Sequence, residues 1–269
     1  MIPTRLIDKR FAFLGAGIIA NVLIERILNA GVTPPENILA TDINPLQLEA
    51  ASKRFGIIVS EKNCEAATFG DFLVIAAPPN VVKSVLSEIS SFTAPTLCVI
   101  SLAAGISTQA VEDLLQTPLP LLRIAPNIPS LVGAGMNPHC LGKHVNAEDI
   151  ILFDDFLRLL GETIRVEERM MNVMTALTAV GPTYIFPTIK CLTEAAVRKG
   201  LPMEASQFVI AQLVLGTARL VLDTKKDPDE LKKMIGTRTI NEGQLSEIIA
   251  LAFESALEKV SAIERKLAA

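Results

Sequence analysis

Gly15, Gly17 and Ala20 stand in a G-x-G-x-x-A spacing within Phe11-Ala12-Phe13-Leu14-Gly15-Ala16-Gly17-Ile18-Ile19-Ala20. The chemistry that spacing serves is anion binding. Gly15 permits a sharp turn out of a strand, Gly17 lets a diphosphate approach the backbone, and small Ala20 lets the following helix pack close to a sheet. Free N–H groups at the helix start then face the anion. Glycine turns after apolar strands are common, so the turn alone also fits an ordinary connection. The discriminating residue is an acid about 20 positions on, at the end of a second strand. Asp42 supplies it, closing Glu36-Asn37-Ile38-Leu39-Ala40-Thr41-Asp42. Together these residues predict a bound dinucleotide.

Positioning them requires a strand at Phe11–Leu14 and a helix over Ile18–Ala30 with Ile19, Val22, Leu23 and Ile27 inward. The alternation continues. A helix is expected over Pro45–Phe55, a short strand over Gly56–Val59, and a helical or looped link over Lys62–Gly70. Asp71-Phe72-Leu73-Val74-Ile75-Ala76-Ala77 reads as a strand ending at Pro78-Pro79, followed by a helix over Val81–Ile89. Further strands are expected at Thr96–Ser101, Leu119–Ile124 and, with glycines, Leu131–Met136. Continuous apolar runs mark parallel strands buried on both faces. Residues 1–166 therefore read as a Rossmann-type doubly wound α/β sheet that binds the dinucleotide.

From Glu167 the pattern becomes all-α, with helices expected over Glu168–Val180, Pro182–Lys199, Met203–Asp223 and Gln244–Leu267. The last carries one apolar stripe of Leu245, Ile248, Ile249, Ala252, Phe253, Ala256, Leu257 and Val260. Phe208–Leu222 is apolar on nearly every side, interrupted chiefly by Gln212, Thr217 and Arg219. Such a helix needs cover all round, either from a second subunit or from the centre of a monomeric bundle.

Composition narrows the classes. The 269 residues carry a net charge of −4, which offers no broad basic surface to nucleic acid. The charge-free stretch between Met170 and Lys190 contains Asn172, Gly181-Pro182 and Pro187, so it reads as packed helices and not as a membrane span. The first residues lack the apolar run of a secretory signal, which points to the cytoplasm. Cys64, Cys98, Cys140 and Cys191 are widely spaced, and His139 and His144 are the only histidines. Buried free thiols are expected, and no metal site.

The order of motifs resembles the pyrroline-5-carboxylate reductase family, whose members reduce a cyclic imine with a nicotinamide cofactor. The resemblance covers nearly the whole chain. It runs from Phe13–Ala20 through Ala30-Gly31-Val32-Thr33, Ser101-Leu102-Ala103-Ala104-Gly105-Ile106, Arg123–Pro129, Val132–Met136 and Gly181-Pro182-Thr183-Tyr184 to Ala195–Pro202. It implies that Leu14, Gly15, Ala16, Gly17, Ile18 and Ile19 lie along the cofactor diphosphate, with Thr41, Asp42 and Asn63 on the adenosine side. It places Ala76, Ala77, Pro79, Ala103, Ala104, Gly105 and Asn127 on the path to the nicotinamide. Residues 167–269 would form a helical dimerisation and substrate domain, completing the site in a homodimer or higher homo-oligomer.

Four departures from the family pattern matter. Many members carry a basic residue just after the second strand, suited to a 2′-phosphate; here Ile43 follows Asp42. A carboxylate repels a phosphate and accepts from a free ribose hydroxyl, which favours NADH over NADPH. Pro78 stands where the family usually has lysine, and Lys190 where members often have an acid. The family's Ser-Pro-Gly-Gly-Thr-Thr loop around the substrate carboxylate corresponds to Met234-Ile235-Gly236-Thr237-Arg238-Thr239-Ile240. Gly236, Thr237, Arg238 and Thr239 are the substrate-binding candidates, and Thr239 is the catalytic candidate as a hydrogen-bond donor to the substrate. Arg238 either replaces the lost backbone donors with a bidentate guanidinium or is a solvated or inter-subunit charge. The expected reaction is reduction of 1-pyrroline-5-carboxylate to L-proline by NAD(P)H. The alternatives are another small cyclic imine or carbonyl acid as substrate, or a nicotinamide-binding regulator whose substrate loop has drifted.

Overall fold

A computed structural model describes residues 4–237 and 239–268. The chain divides into two compact units, Met1–Val180 with Ser255–Ala269, and Gly181–Glu254. The first is built on one eight-stranded sheet in the order β3-β2-β1-β4-β5-β6-β7-β8. Its strands are β1 Phe11–Leu14, β2 Ile38–Thr41, β3 Ile58–Ser60, β4 Phe72–Ile75, β5 Cys98–Ser101, β6 Leu121–Ile124, β7 Gly135–Leu141 and β8 Gly161–Arg165. Strands β1 to β6 pair in parallel, β7 runs antiparallel to β6, and β8 is parallel to β7. The five parallel strands β1, β2, β4, β5 and β6 are buried along their whole length, as parallel strands covered on both faces are, with Thr41, Ser101 and Arg123 as their buried polar residues.

Helices α1 Ile18–Asn29, α2 Pro45–Phe55, α3 Asn63–Phe69, α4 Pro79–Ile89, α5 Thr108–Leu115 and α6 Ala147–Leu160 cover this sheet. On one face Phe11, Phe72 and Phe156 stack, with the Phe11 and Phe72 ring centroids 4.9 Å apart. They anchor a core shared with Leu23 and Ile27 of α1 and Phe153 and Leu160 of α6. On the other face Leu14, Leu73 and Val99 pack with Val82 and Leu86 of α4 and Val111 of α5. The strand order reverses direction between β1 and β4, which opens a crevice at their carboxyl ends.

Two expected elements differ. The glycine-containing strand placed at Leu131–Met136 begins at Gly135, because Ile128–Val132 is a 3-10 turn closed by Gly133 at φ +68°. Pro129 at the start of that turn and a left-handed residue at its end favour the turn over a strand, an ambiguity inherent in short apolar runs. The helix expected over Glu168–Val180 is broken into a 3-10 turn Glu168–Met170, α7 Met171–Met174 and a π turn Thr175–Ala179. Thr175 and Thr178 donate their hydroxyls back to the Met171 and Met174 carbonyls at 2.6 and 2.8 Å, and Val180 N–H reaches Thr175 O at 3.2 Å. Such side-chain back-bonding bends helices.

The second unit contains α8 Pro182–Arg198, α9 Met203–Thr224, the short α10 Pro228–Lys233 and the first half of α11 Glu242–Ala268. Helix α10 is an addition to the expected set. Its signal is Asp227-Pro228-Asp229, in which the Asp227 carboxylate caps Asp229 N–H at 2.7 Å. Helix α9 leaves Phe208, Leu215 and Leu222 at 72%, 61% and 75% exposure. By length and composition it is the one helix among the described residues that could cross a membrane, and only 11% of its apolar window is buried. The apolar stripe of α11 is half covered: Ala256 and Val260 are buried, Leu245 and Ile248 exposed. Of the thiols expected to be buried, Cys98 and Cys140 are, Cys64 is half-buried, and Cys191, on α8, is exposed.

Candidate dinucleotide site

Local backbone geometry sets the glycine turn. Gly15 adopts φ +108°, and a Cβ there would lie 2.9 Å from the Ala76 carbonyl group, so the β1 and β4 ends approach as only glycine allows. At Gly17 the space a Cβ would occupy has no atom within 4 Å. Gly17 also caps α1 without a side-chain hydrogen bond, so the first turn of that helix presents backbone N–H groups to whatever enters.

Around this turn lies a cleft of about 600 Å³. Leu14, Gly15 and Gly17 form its floor; Thr41 and Asp42 bound it from the β2 end, Ala76 and Ala77 from the β4 end, and Asn63 and Glu88 from α3 and α4. The Asp42 carboxylate accepts Ala16 N–H and Asn44 N–H, each at 2.9 Å, which holds it across the mouth of the turn. The Thr41 hydroxyl donates to Asn63 Oδ1 at 2.8 Å, and Asn63 Nδ2 donates to Glu88 Oε2 at 2.9 Å. The charged residues lining this cleft among the described residues are Asp42 and Glu88, both acidic. Ile43 lies at its rim with 89% of its surface exposed.

The other sequence-derived candidates are distributed as follows. Ile19, Ala103 and Ala104 line a smaller pocket of about 80 Å³ with Arg123, Pro126 and Thr175. Ile18 is exposed at the start of α1, and Pro79 opens α4 beside the cleft. Gly105 lies against α11, where a Cβ would come within 3.0 Å of Ile263. Asn127 is buried, and its amide is used within the unit: Nδ2 donates to Thr178 O and Oδ1 accepts Met136 N–H, both at 3.2 Å. Gly236, Thr237 and Thr239 lie between α10 and α11 and are exposed, with Gly236 at φ +74°; Arg238 lies outside the described residues.

Sequence reasoning did not find Asn44, Gln47, Pro78, Asn80, Ser84 and Glu88 along the cleft. Pro78 and Asn80 follow a buried strand, which is the available signal for them. Ser84 and Glu88 are four residues apart on α4, and only the packing of that helix against the sheet reveals which side they share.

Beneath the smaller pocket, Arg123 on β6 is buried and pairs with Glu168. Glu168 also accepts from the Thr108 hydroxyl at 2.8 Å and the Cys140 thiol at 3.1 Å. Arg123 reaches Asn172 of α7, which donates to Glu264 of α11. Burial raises the Glu168 carboxyl, but the Cys140 thiol, the Arg123 charge and the Thr108 hydroxyl outweigh it and hold the group below its ordinary value. Burial and the facing carboxylate push the Cys140 thiol up to about 12. The network ties the strand that leads into Ala125-Pro126-Asn127 to the segment that opens the helical half.

A glycine turn, an acid closing the second strand and a crevice at the reversal of strand order define a pyridine-nucleotide-dependent oxidoreductase on a Rossmann sheet. Residues 10–105 match the family model described as NADP oxidoreductase coenzyme F420-dependent, and residues 168–262 match that of pyrroline-5-carboxylate reductase dimerisation. The pyrroline-5-carboxylate reductase of Methanosarcina acetivorans is 32% identical over 228 residues, 85% of this chain and 84% of that protein. The Escherichia coli enzyme of the same name is 30% identical over 228 residues, 85% of each chain. The crystal structure of Plasmodium falciparum pyrroline carboxylate reductase with NADP bound superposes with a TM-score of 0.85 at 25% identity, covering 96% of this chain and 99% of that one. The pyrroline-5-carboxylate reductase of Coxiella burnetii gives 0.76 at 27% identity, covering 95% and 98%. The chain belongs to the pyrroline-5-carboxylate reductase family, and it is an NAD(P)H-dependent oxidoreductase.

Proposed function

We propose that this chain reduces the C=N bond of 1-pyrroline-5-carboxylate to give L-proline, with NADH preferred over NADPH. The observation that carries the cofactor preference is the cleft itself, whose charged lining among the described residues is Asp42 and Glu88. A bound reduced nicotinamide supplies the hydride, and the protein positions the two reacting carbons and excludes water. Gly15, Gly17 and the first N–H groups of α1, from Ile18 and Ile19 onward, hold the diphosphate. Asp42 accepts a ribose hydroxyl, and Thr41 and Asn63 border the adenosine. Ala76, Ala77, Pro79, Ala103, Ala104 and Gly105 line the way to the nicotinamide, and buried Asn127 shapes the turn beside it. The substrate carboxylate is held by Gly236, Thr237, Arg238 and Thr239, with Thr239 donating a hydrogen bond to the substrate.

In this reading residues 1–166 bind the cofactor, and residues 167–269 pair two subunits of a cytoplasmic homodimer. The match of residues 168–262 to a dimerisation model supports it, as does the uncovered apolar surface of α9. A unit charge about 5 Å from Asp42 at an effective dielectric constant of about 40 costs about 1.7 kcal/mol, so the 2′-phosphate of NADPH loses roughly tenfold or more in affinity.

Purified protein given 1-pyrroline-5-carboxylate with each cofactor in turn tests the reading. Proline should form with both, and kcat/KM should favour NADH by about tenfold or more. Absence of proline with either cofactor, under conditions where the Escherichia coli enzyme works, refutes the reaction; NADPH equal to or better than NADH refutes the preference alone.

A further inference from the structure

We propose that Glu88 and Asn63 read the base of the cofactor, selecting adenine by its exocyclic amine and rejecting hypoxanthine, which carries a carbonyl oxygen at the same position. This rests on the reading that puts the adenosine beside Thr41, Asp42 and Asn63, and it adds a chemical discrimination to that placement.

Val81, Ser84, Val85 and Glu88 fall three and four residues apart on α4, so they share one face of the helix, and all four line the cleft. Half-buried Val81 and Val85 give a flat ring an apolar wall to lie on, and Glu88 stands one turn beyond them. Asn63, the first residue of α3, lines the same cleft with Thr41, the last residue of β2.

The three polar side chains form a hydrogen-bonded chain with one direction. Thr41 is fully buried and donates its hydroxyl to Asn63 Oδ1 at 2.8 Å, and Asn63 Nδ2 donates to Glu88 Oε2 at 2.9 Å. A carboxylate only accepts, so Glu88 fixes the orientation of the amide: turned over, Asn63 would hold its oxygen against the carboxylate. Among the described residues no other hydrogen bond or ion pair reaches the Glu88 carboxylate. With Oδ1 committed to Thr41, a ligand is left the second N–H of Asn63 and the second oxygen of Glu88.

A donor beside an acceptor complements adenine, whose amine donates next to a ring nitrogen that accepts. Hypoxanthine puts an acceptor oxygen where the amine stood, and that oxygen meets a carboxylate with no proton between them. NADH and its hypoxanthine counterpart carry the same charge and the same diphosphate, ribose and nicotinamide parts, so Asp42 and the glycine turn treat them alike.

Titration of the full-length protein with each of these two dinucleotides, followed by the fluorescence of the reduced nicotinamide, reads the discrimination directly. NADH should bind about tenfold more tightly than the hypoxanthine form. Glu88→Gln, whose amide can donate to the hypoxanthine oxygen, and Glu88→Ala should each bring that ratio to about threefold or less. The ratio is taken within one variant, so a general loss of stability leaves it unmoved. Asp42→Ala should weaken both dinucleotides alike and keep the parent ratio. A parent ratio within about twofold of one overturns the proposal and leaves the adenosine placement standing. A ratio of about tenfold that survives both Glu88 substitutions does the same. Failure of NADH to bind, or Asp42→Ala binding it as the parent does, overturns the adenosine placement and the proposal with it.

Discussion

Replacing Glu168 by glutamine isolates the ion pair at the base of the site. The Arg123 side chain is 4% exposed and that of Glu168 36%, so the substitution leaves a buried guanidinium facing a neutral amide. Removing one partner of a fully buried pair costs about 3–5 kcal/mol. Partial exposure of Glu168 and the retained Asn172 contact reduce this to about 2 kcal/mol. For a unit of this size that lowers the melting temperature by roughly 4–8 °C. The pH dependence has a definite sign. The Glu168 carboxyl is depressed in the folded chain below its ordinary value of 4.5, so its contribution is complete above about that pH and fades as pH falls through the lower folded value. Scanning calorimetry of the parent and Glu168→Gln should show a constant gap from about pH 7 down to about pH 5, closing below. The double variant Arg123→Met with Glu168→Gln should lose less than the two single losses added together. A gap under about 1 °C at neutral pH, or one that persists undiminished in acid, would refute the reasoning.

Four further outcomes follow from other parts of the molecule. Gly15→Ala places a Cβ 2.9 Å from the Ala76 carbonyl at φ +108°, so it should cost about 1–3 kcal/mol of stability and weaken NADH binding about tenfold or more, read by thermal shift and fluorescence titration. Asp42→Ser combined with Ile43→Arg should raise the NADPH-to-NADH ratio of kcat/KM about tenfold or more; an unchanged ratio means that these residues do not set the preference. Phe208→Glu and Leu222→Lys charge the exposed apolar surface of α9 and should shift the oligomer towards monomer in light scattering, whereas an unaltered mass would show that α9 is covered elsewhere. The Cys140 and Cys98 thiols, pushed up to about 12 and about 11, should resist alkylation at pH 8 until the chain unfolds.

The sequence alone determined the cofactor turn. A strand, two glycines and a helix in G-x-G-x-x-A spacing, with Asp42 closing the next strand, depend on backbone rules that act over a few residues. Local physics therefore reaches Leu14, Gly15, Gly17, Thr41 and Asp42, and unbroken apolar runs reach the parallel sheet and the helical half. Local rules do not reach the break of the helix at Thr175 and Thr178, or the shift of a strand from Leu131 to Gly135. Both were decided where short apolar segments are ambiguous and a back-bonded hydroxyl or a left-handed glycine tips the balance. Only the tertiary structure joined residues far apart in the chain: Arg123 to Glu168 and on to Glu264 through Asn172, and Asn63 to Glu88. The physical reason is that a turn is specified by the conformations its own residues allow. A buried charge acquires meaning only from the groups that the packing of distant elements brings against it.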